Sequence, residues 1–315
     1  MRLAGPELAG FGPLAALVSD PEVTDVFVNG VGGLWTDRGR GLERERSSEL
    51  DETEIRELAV RLIALGGRHI DEATPCVDVR LHEGVRVHAI LPPISTTGTL
   101  LSLRLPRVTR LSLADLESAG FFSEIPLATI TGLVTRRENL LITGAGGSGK
   151  TTFLAALLSS ASVGDRIIAI EDVAELRVAH PHFVSLEARQ ANLEGAGHLG
   201  LERLVREALR MRPDRLVLGE CRGAEIRELL TALNTGHDGG AGTLHANSLA
   251  DVPARIEALG ALAGMSPTAI ARQTVSAIGC VLHLERAPDA RRLVQMGRFE
   301  LDARDRLGMV ELTDA

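Results

Sequence analysis

Residues 144–151, Gly144-Ala145-Gly146-Gly147-Ser148-Gly149-Lys150-Thr151, fit the pattern G-x-x-x-x-G-K-[ST], and each residue type has a physical reason to be there. Glycines let successive backbone N–H groups turn toward one point, and a following helix N-terminus adds its dipole. The lysine ammonium reaches the β- and γ-phosphates of a nucleotide, and the threonine hydroxyl ligates Mg²⁺. The flanks are right for this: apolar Leu140-Leu141-Ile142 precedes the loop, and helix-forming Phe153-Leu154-Ala155-Ala156-Leu157-Leu158 follows it. The expected order is strand, glycine loop, helix. Gly144, Gly146, Gly147, Ser148, Gly149, Lys150, Thr151 and Thr152 are then the candidates to hold a nucleoside triphosphate. ATP is favoured over GTP, because a guanine-reading motif of the Asn-Lys-x-Asp type needs a second lysine and the chain has none.

Lys150 is in fact the single lysine among 34 basic residues. A compositional bias explains the arginines, since exposed positive charge is served by either cation. It does not explain the survivor. An ammonium is a compact point charge and a guanidinium a wide planar fork, so the exchange fails where a narrow site needs the former.

Two short apolar runs end in carboxylates. Arg166-Ile167-Ile168-Ala169-Ile170 leads into Glu171-Asp172, and Leu216-Val217-Leu218 leads into Gly219-Glu220. Both read as buried parallel strands, whose C-terminal ends form the ligand-binding edge of an open α/β sheet. Glu220 occupies the Walker B position, where it can hold Mg²⁺ through water, and Glu171 can orient or deprotonate an attacking water. The residue pattern leaves open which of the two is the base. A glycine-rich stretch, Thr235 to Asn247, carries His237 and His245. His245, beside the apolar Leu244, is the better candidate to read the γ-phosphate, because a strand end would fix it.

The first part of the chain is patterned differently. Asp51, with Glu54 three residues on, opens a helix whose Ile55, Leu58, Ala59, Leu62 and Ile63 share a face. Val77, Val79 and Leu81 alternate with polar residues, as do Val85, Val87, Ala89 and Leu91, and His82-Glu83-Gly84 can turn a hairpin between them. If Leu81 pairs with Val85, Arg80 lies opposite Arg86, an arrangement that destabilises a sheet unless something negative sits there. Arg104, in Leu101-Ser102-Leu103-Arg104-Leu105, falls on a polar face too. On charge pattern alone, pairing with Asp78 or Glu83 on a solvated face explains these arginines at least as well as a phosphate does.

Length and composition set the frame. At roughly 150 residues per domain, 315 residues suggest two domains. The plan expected is an α+β domain over 1–106 (a helix-covered sheet), a linker over 107–120 and an α/β phosphate-loop domain over 121–315. Ser266-Pro267 should start a helix, and Val281-Leu282-His283-Leu284 reads as a strand. No apolar stretch approaches the roughly 18 residues that cross a bilayer, and the start lacks a secretory signal, so a cytoplasmic location is expected. Cys76, Cys221 and Cys280 are far apart and read as buried or incidental thiols. A net charge of −8, with seven Phe, one Trp and no Tyr, weighs against broad nucleic-acid binding.

Taken in order, these segments resemble the type II/type IV secretion traffic ATPases, most closely the Tad/CpaF-type branch that drives Flp (tight-adherence) pilus assembly. The resemblance is carried by Thr24-Asp25-Val26-Phe27-Val28-Asn29-Gly30, Arg86-Val87-His88-Ala89-Ile90-Leu91-Pro92-Pro93, the phosphate loop, Ile170-Glu171-Asp172, Leu209-Arg210-Met211-Arg212-Pro213-Asp214-Arg215, Gly219-Glu220 and Thr235-Gly236-His237-Asp238-Gly239. It implies a RecA-like P-loop ATPase domain behind the N-terminal domain, with Glu171 in the Asp box, Glu220 ending Walker B and Thr243-Leu244-His245-Ala246-Asn247 as the His box. It further implies that Arg86 and Arg104 reach the γ-phosphate, and that ATP and Mg²⁺ are used, the metal at Thr151 and Glu220. A homohexameric ring, peripheral on the inner face of the plasma membrane and driving a polytopic platform protein, is implied as well. A DNA-translocating or conjugation-associated ATPase and a low-turnover ATP-dependent assembly scaffold are the alternatives.

Overall fold

The structure is a computed structural model that describes residues 8–45, 50–81, 84–105, 110–189, 197–287 and 290–312. Internal packing divides the chain between Thr109 and Arg110. Each unit has a core of its own.

The first unit contains α1 (Ala15–Ser19), β1 (Asp25–Asn29), β2 (Leu34–Asp37), β3 (Leu42–Arg44), α2 (Glu52–Leu65), β4 (Cys76–Arg80), β5 (Arg86–Ile90) and β6 (Leu100–Arg104). Helix α2 starts where the sequence says it should. The Asp51 carboxylate accepts the Glu54 N–H at 2.8 Å and the Glu54 carboxylate accepts the Asp51 N–H at 3.0 Å, a closed capping box. The helix buries Ile55, Leu58, Ala59, Leu62 and Ile63 in one cluster with Val26, Val28, Val77, Val79, Val87, Ala89, Leu101 and Leu103 of a sheet ordered β3-β2-β1-β6-β5-β4. Because strand side chains alternate, covering one face with apolar residues sends their polar neighbours to the other. The register then sets a row across that face: Arg80 opposite Arg86, Arg86 opposite Arg104, and Arg104 opposite Asp25. The Leu81 N–H donates to the Val85 carbonyl at 2.8 Å, which is the pairing the alternation predicts. His82 and Glu83 of the expected turn lie outside the described residues.

The second unit contains α3 (Leu113–Ser118), α4 (Leu127–Thr135), β7 (Leu140–Gly144), α5 (Lys150–Ser159), β8 (Ile167–Glu171), β9 (Phe183–Glu187), α6 (Leu201–Leu209), β10 (Arg215–Leu218), α7 (Glu225–Leu233), β11 (Ala241–His245), α8 (Val252–Leu262), α9 (Pro267–Ala277), β12 (Cys280–Arg286), β13 (Arg291–Leu301) and β14 (Leu307–Glu311). Its eight-stranded sheet runs β14-β13-β12-β7-β11-β10-β8-β9. The strands from β12 to β9 are parallel, and β13 and β14 are antiparallel additions at one edge. Strands β7, β8 and β10 are buried at every position, as a sheet with helices on both faces requires. Leu140, Ile142, Ile167, Ala169 and Val217 pack with α3, α4 and α5 on one face, and Leu141, Ile168, Ile170, Leu216 and Leu218 with α6 to α9 on the other. Helix α3 falls within the stretch assigned to a linker; its capped start at Ser112 and its buried Leu113 and Leu116 belong to this core. Cys221 and Cys280 are buried, which pushes the Cys280 thiol up to about 11, while Cys76 is exposed. The architecture is an α+β N-terminal unit followed by a RecA-like α/β phosphate-loop unit.

Candidate nucleotide site

The parallel strands bring the ends of β7, β8, β10 and β11 to one edge of the sheet, and with them Gly144, Glu171, Gly219-Glu220 and His245. Between β7 and α5 the chain forms the glycine loop. Gly147 and Gly149 take φ of +72° and +97°, a region that costs a residue with a Cβ roughly 1 kcal/mol or more. At Gly144 an added Cβ would meet the Leu284 carbonyl oxygen at 2.4 Å. Ser148, fully buried, has no hydrogen-bond partner for its Oγ among the described residues. A buried orphan hydroxyl is costly unless a ligand or water satisfies it, so the loop has both the shape and an open valence for a phosphate group. Thr151 is half-buried and Thr152 exposed at the start of α5.

Lys150 is 6 % exposed. Its Nζ donates to the Gly144 and Ala145 carbonyls at 2.8 and 2.9 Å and lies 3.3 Å from His245 Nδ1. His245 Nε2 is 2.8 Å from Glu220 Oε1. An ammonium only donates and a carboxylate only accepts, so a neutral ring here accepts at Nδ1 and carries its proton on Nε2. Burial, helped by the Lys150 charge, holds the His245 pKa below its usual value, which keeps the ring neutral. Burial also lowers Lys150, with Glu220 opposing the shift. The result is a continuous line, Lys150–His245–Glu220, along the edge of the loop.

The structure separates the two carboxylates that the sequence treats alike. Glu220 faces His245, whereas Glu171 is 4 % exposed and accepts the N–H groups of Glu175 and Leu176 at 3.0 and 3.1 Å. Gly219 must be glycine for this: an added Cβ would sit 2.5 Å from Glu171 Cγ. The Thr243 hydroxyl donates to the Gly219 carbonyl at 2.6 Å and so fixes the turn that aims Glu220. The two histidines are separated as well. His237 precedes β11, at the opposite edge of the sheet from the phosphate loop, and its Nδ1 is 3.1 Å from the Ala232 carbonyl oxygen.

Several participants escape the sequence reading. Arg222 places a guanidinium nitrogen 2.6 Å from Glu220 and another 3.8 Å from Asp172. Its position two residues after Glu220, past a strand end, is the signal available in hindsight. Arg291 Nε donates to the Gly147 carbonyl at 2.9 Å. The sequence signal for it is Ala287-Pro288-Asp289-Ala290, a turn composition that follows the Val281-Leu282-His283-Leu284 strand pattern. In the N-terminal unit Arg86 is half-buried with a nitrogen 3.9 Å from Asp78, and Arg104 is exposed.

A family model described as "Type II/IV secretion system protein" matches residues 7–297. The chain belongs to that family and carries its ATPase core. Among its relatives, the Mycobacterium tuberculosis protein Rv3659c, named as a conjugal transfer protein, is 47% identical over 298 residues, covering 93% of this chain and 85% of the relative. TrbB of Sinorhizobium fredii, also named as a conjugal transfer protein, is 31% identical over 297 residues, 91% and 87% of the two chains. The ATPase DotB of Legionella pneumophila shares the fold, with a TM-score of 0.60 at 18% identity over 99% of this chain and 81% of DotB.

Proposed function

We propose that this secretion-family member hydrolyses ATP as a homohexameric motor of pilus assembly or secretion, peripheral to the inner face of the plasma membrane and acting on a polytopic platform protein. The observation that carries the hydrolytic part is the line from Lys150 through His245 to Glu220 at the mouth of the glycine loop. The loop N–H groups and Lys150 bind the β- and γ-phosphates, and the Thr151 hydroxyl with Glu220 would hold Mg²⁺. Held there, the ion would supply positive charge against the phosphates. Glu220 is the group placed to take the proton of an attacking water, and the neutral His245, donating from Nε2, fixes that carboxylate. Glu171 holds the segment after β8 through its two N–H contacts. Arg86 and Arg104 come from the N-terminal domain to stabilise charge on the γ-phosphate; their pairing side by side on the polar face of the first sheet supports this reading. Cycles of closing and opening around the ring would pass motion to the platform. Within the family, the Tad/CpaF-type branch is the assignment we favour.

The relatives named for conjugal transfer support a second reading, a motor that moves or escorts DNA. ATP turnover of the full chain with and without duplex or single-stranded DNA separates the two. Salt-sensitive stimulation by DNA assigns the second, and turnover indifferent to DNA assigns the first. Binding without turnover identifies a scaffold and overturns both.

A further inference from the structure

The sheet order assigns the two ends of the bound nucleotide. Strand β7, which carries the phosphate loop, lies between β11 and β12. On the β11 side stand His245 and, one strand further, Glu220, the groups that face a transferred phosphate. On the other side stands the β12–β13 hairpin, whose strands are joined with Arg286 opposite Arg291. Both arginines reach the loop. Arg291 Nε donates to the Gly147 carbonyl at 2.9 Å, its Cδ lies 3.1 Å from where a Cβ on Gly149 would be, and an Arg286 nitrogen lies 3.3 Å from the corresponding point at Gly147. Beside them the other face of the hairpin, with Glu124, Glu285, Ala287, Arg292 and Val294, lines a cavity of about 230 Å³.

We propose that Arg291, seconded by Arg286, is a nucleotide-binding residue supplied by the same subunit, and that it holds the non-transferred phosphates. The arginines lie across the loop from His245 and Glu220, so they act on what ATP and ADP have in common. The hairpin is thus an affinity element, opposite in role to the residues on the β11 side. On nucleotide binding the Arg291 guanidinium would reach phosphate oxygens, a charge-assisted contact stronger than the one it makes to the neutral Gly147 carbonyl.

The proposal rests on the ATP-binding reading, and one experiment keeps the two apart. Fluorescent ADP and a non-hydrolysable ATP analogue are titrated into the full-length wild type, Arg291→Ala, Arg291→Lys, Arg286→Ala and Lys150→Ala, with steady-state turnover and nucleotide-free melting measured alongside. The expected result for Arg291→Ala is a loss of about tenfold in affinity, of the size of one charged hydrogen bond, equal for ADP and the ATP analogue. KM rises, kcat and the melting temperature are unchanged, and Arg291→Lys recovers part of the loss. Arg286→Ala moves in the same direction by less. Wild-type ADP affinity in Arg291→Ala overturns the proposal, and so does a loss confined to the ATP analogue or to kcat. Should the wild type itself bind neither nucleotide, the ATP reading fails first. Binding by the wild type that Lys150→Ala abolishes keeps that reading intact whatever Arg291→Ala does.

Discussion

Replacing Lys150 by alanine separates two energies that a buried charge usually entangles. In the structure the ammonium is 6 % exposed and donates to two carbonyls and, at 3.3 Å, to His245 Nδ1. Burial lowers its pKa, so the charged form is held at a cost. When it is removed, the Gly144 carbonyl keeps the Ala246 N–H at 3.4 Å, and exposed Ala145 turns its carbonyl to water. Two short hydrogen bonds of about 1 kcal/mol each, and a longer one to the His245 ring, which can turn to water, are therefore lost against relief of a desolvation penalty of similar size, and folding stability should change by no more than about 1 kcal/mol. On the proposed reading the same ammonium faces phosphate when ATP is bound. Loss of one preorganised charge stabiliser costs about 3–4 kcal/mol in the transition state, or roughly 10²–10³ in rate. The expected outcome is a Lys150→Ala protein that melts within a few degrees of wild type while its kcat/KM for Mg-ATP falls at least a hundredfold, measured by phosphate release. Lys150→Arg should do nearly as badly, because the guanidinium fork is too wide for the space between Gly144 and His245. Turnover within threefold of wild type in either variant would refute the reasoning. Amine-reactive labelling gives a parallel readout, since modification should be confined to the N-terminus and Lys150, with Mg-ATP protecting the latter.

Three further outcomes follow from other parts of the molecule. Glu220→Gln should keep ATP affinity and lose turnover by about 10²–10⁴; single-turnover kinetics checks this, and a loss below threefold assigns the base elsewhere. Arg86→Ala and Arg104→Ala should each lower kcat, and near-normal kcat in both variants removes the N-terminal arginines from the reaction. His283 is fully buried with Nδ1 2.8 Å from the Thr143 hydroxyl, and burial lowers its pKa from 6.5. The unfolded chain then takes up a proton before the folded one, so this part of the stability is present above pH 6.5 and is lost as pH falls from there toward the folded value. Melting temperatures between pH 7 and 5 should fall more steeply for wild type than for His283→Asn, and parallel curves would exclude the assignment.

Much of the fold is legible because its determinants are local. Asp51 and Glu54 close a box within one turn, Ser266 caps a helix that Pro267 begins, and alternating valines fix which face of the first sheet is buried. The alternation even sets the register that opposes Arg80 to Arg86. Helix α3 was hidden by the neighbouring Pro106 and by its length of six residues, with two apolar positions too few for a period. His237 and His245 share one polar stretch, yet the strand between them carries them to opposite edges of the sheet.

Sequence by itself determined the strand, glycine loop and helix over 140–159, because consecutive residues there set the geometry by their spacing. It also determined that Glu171 and His245 end buried strands and that Glu220 follows one, since apolar runs stop where carboxylates and imidazoles begin. Only the tertiary structure decided that Glu220 and not Glu171 lies along the line to Lys150, that Arg222 reaches Glu220, and that the β12–β13 arginines reach the loop. Those contacts join residues up to 144 positions apart, and strand order, which no local pattern encodes, chooses among them.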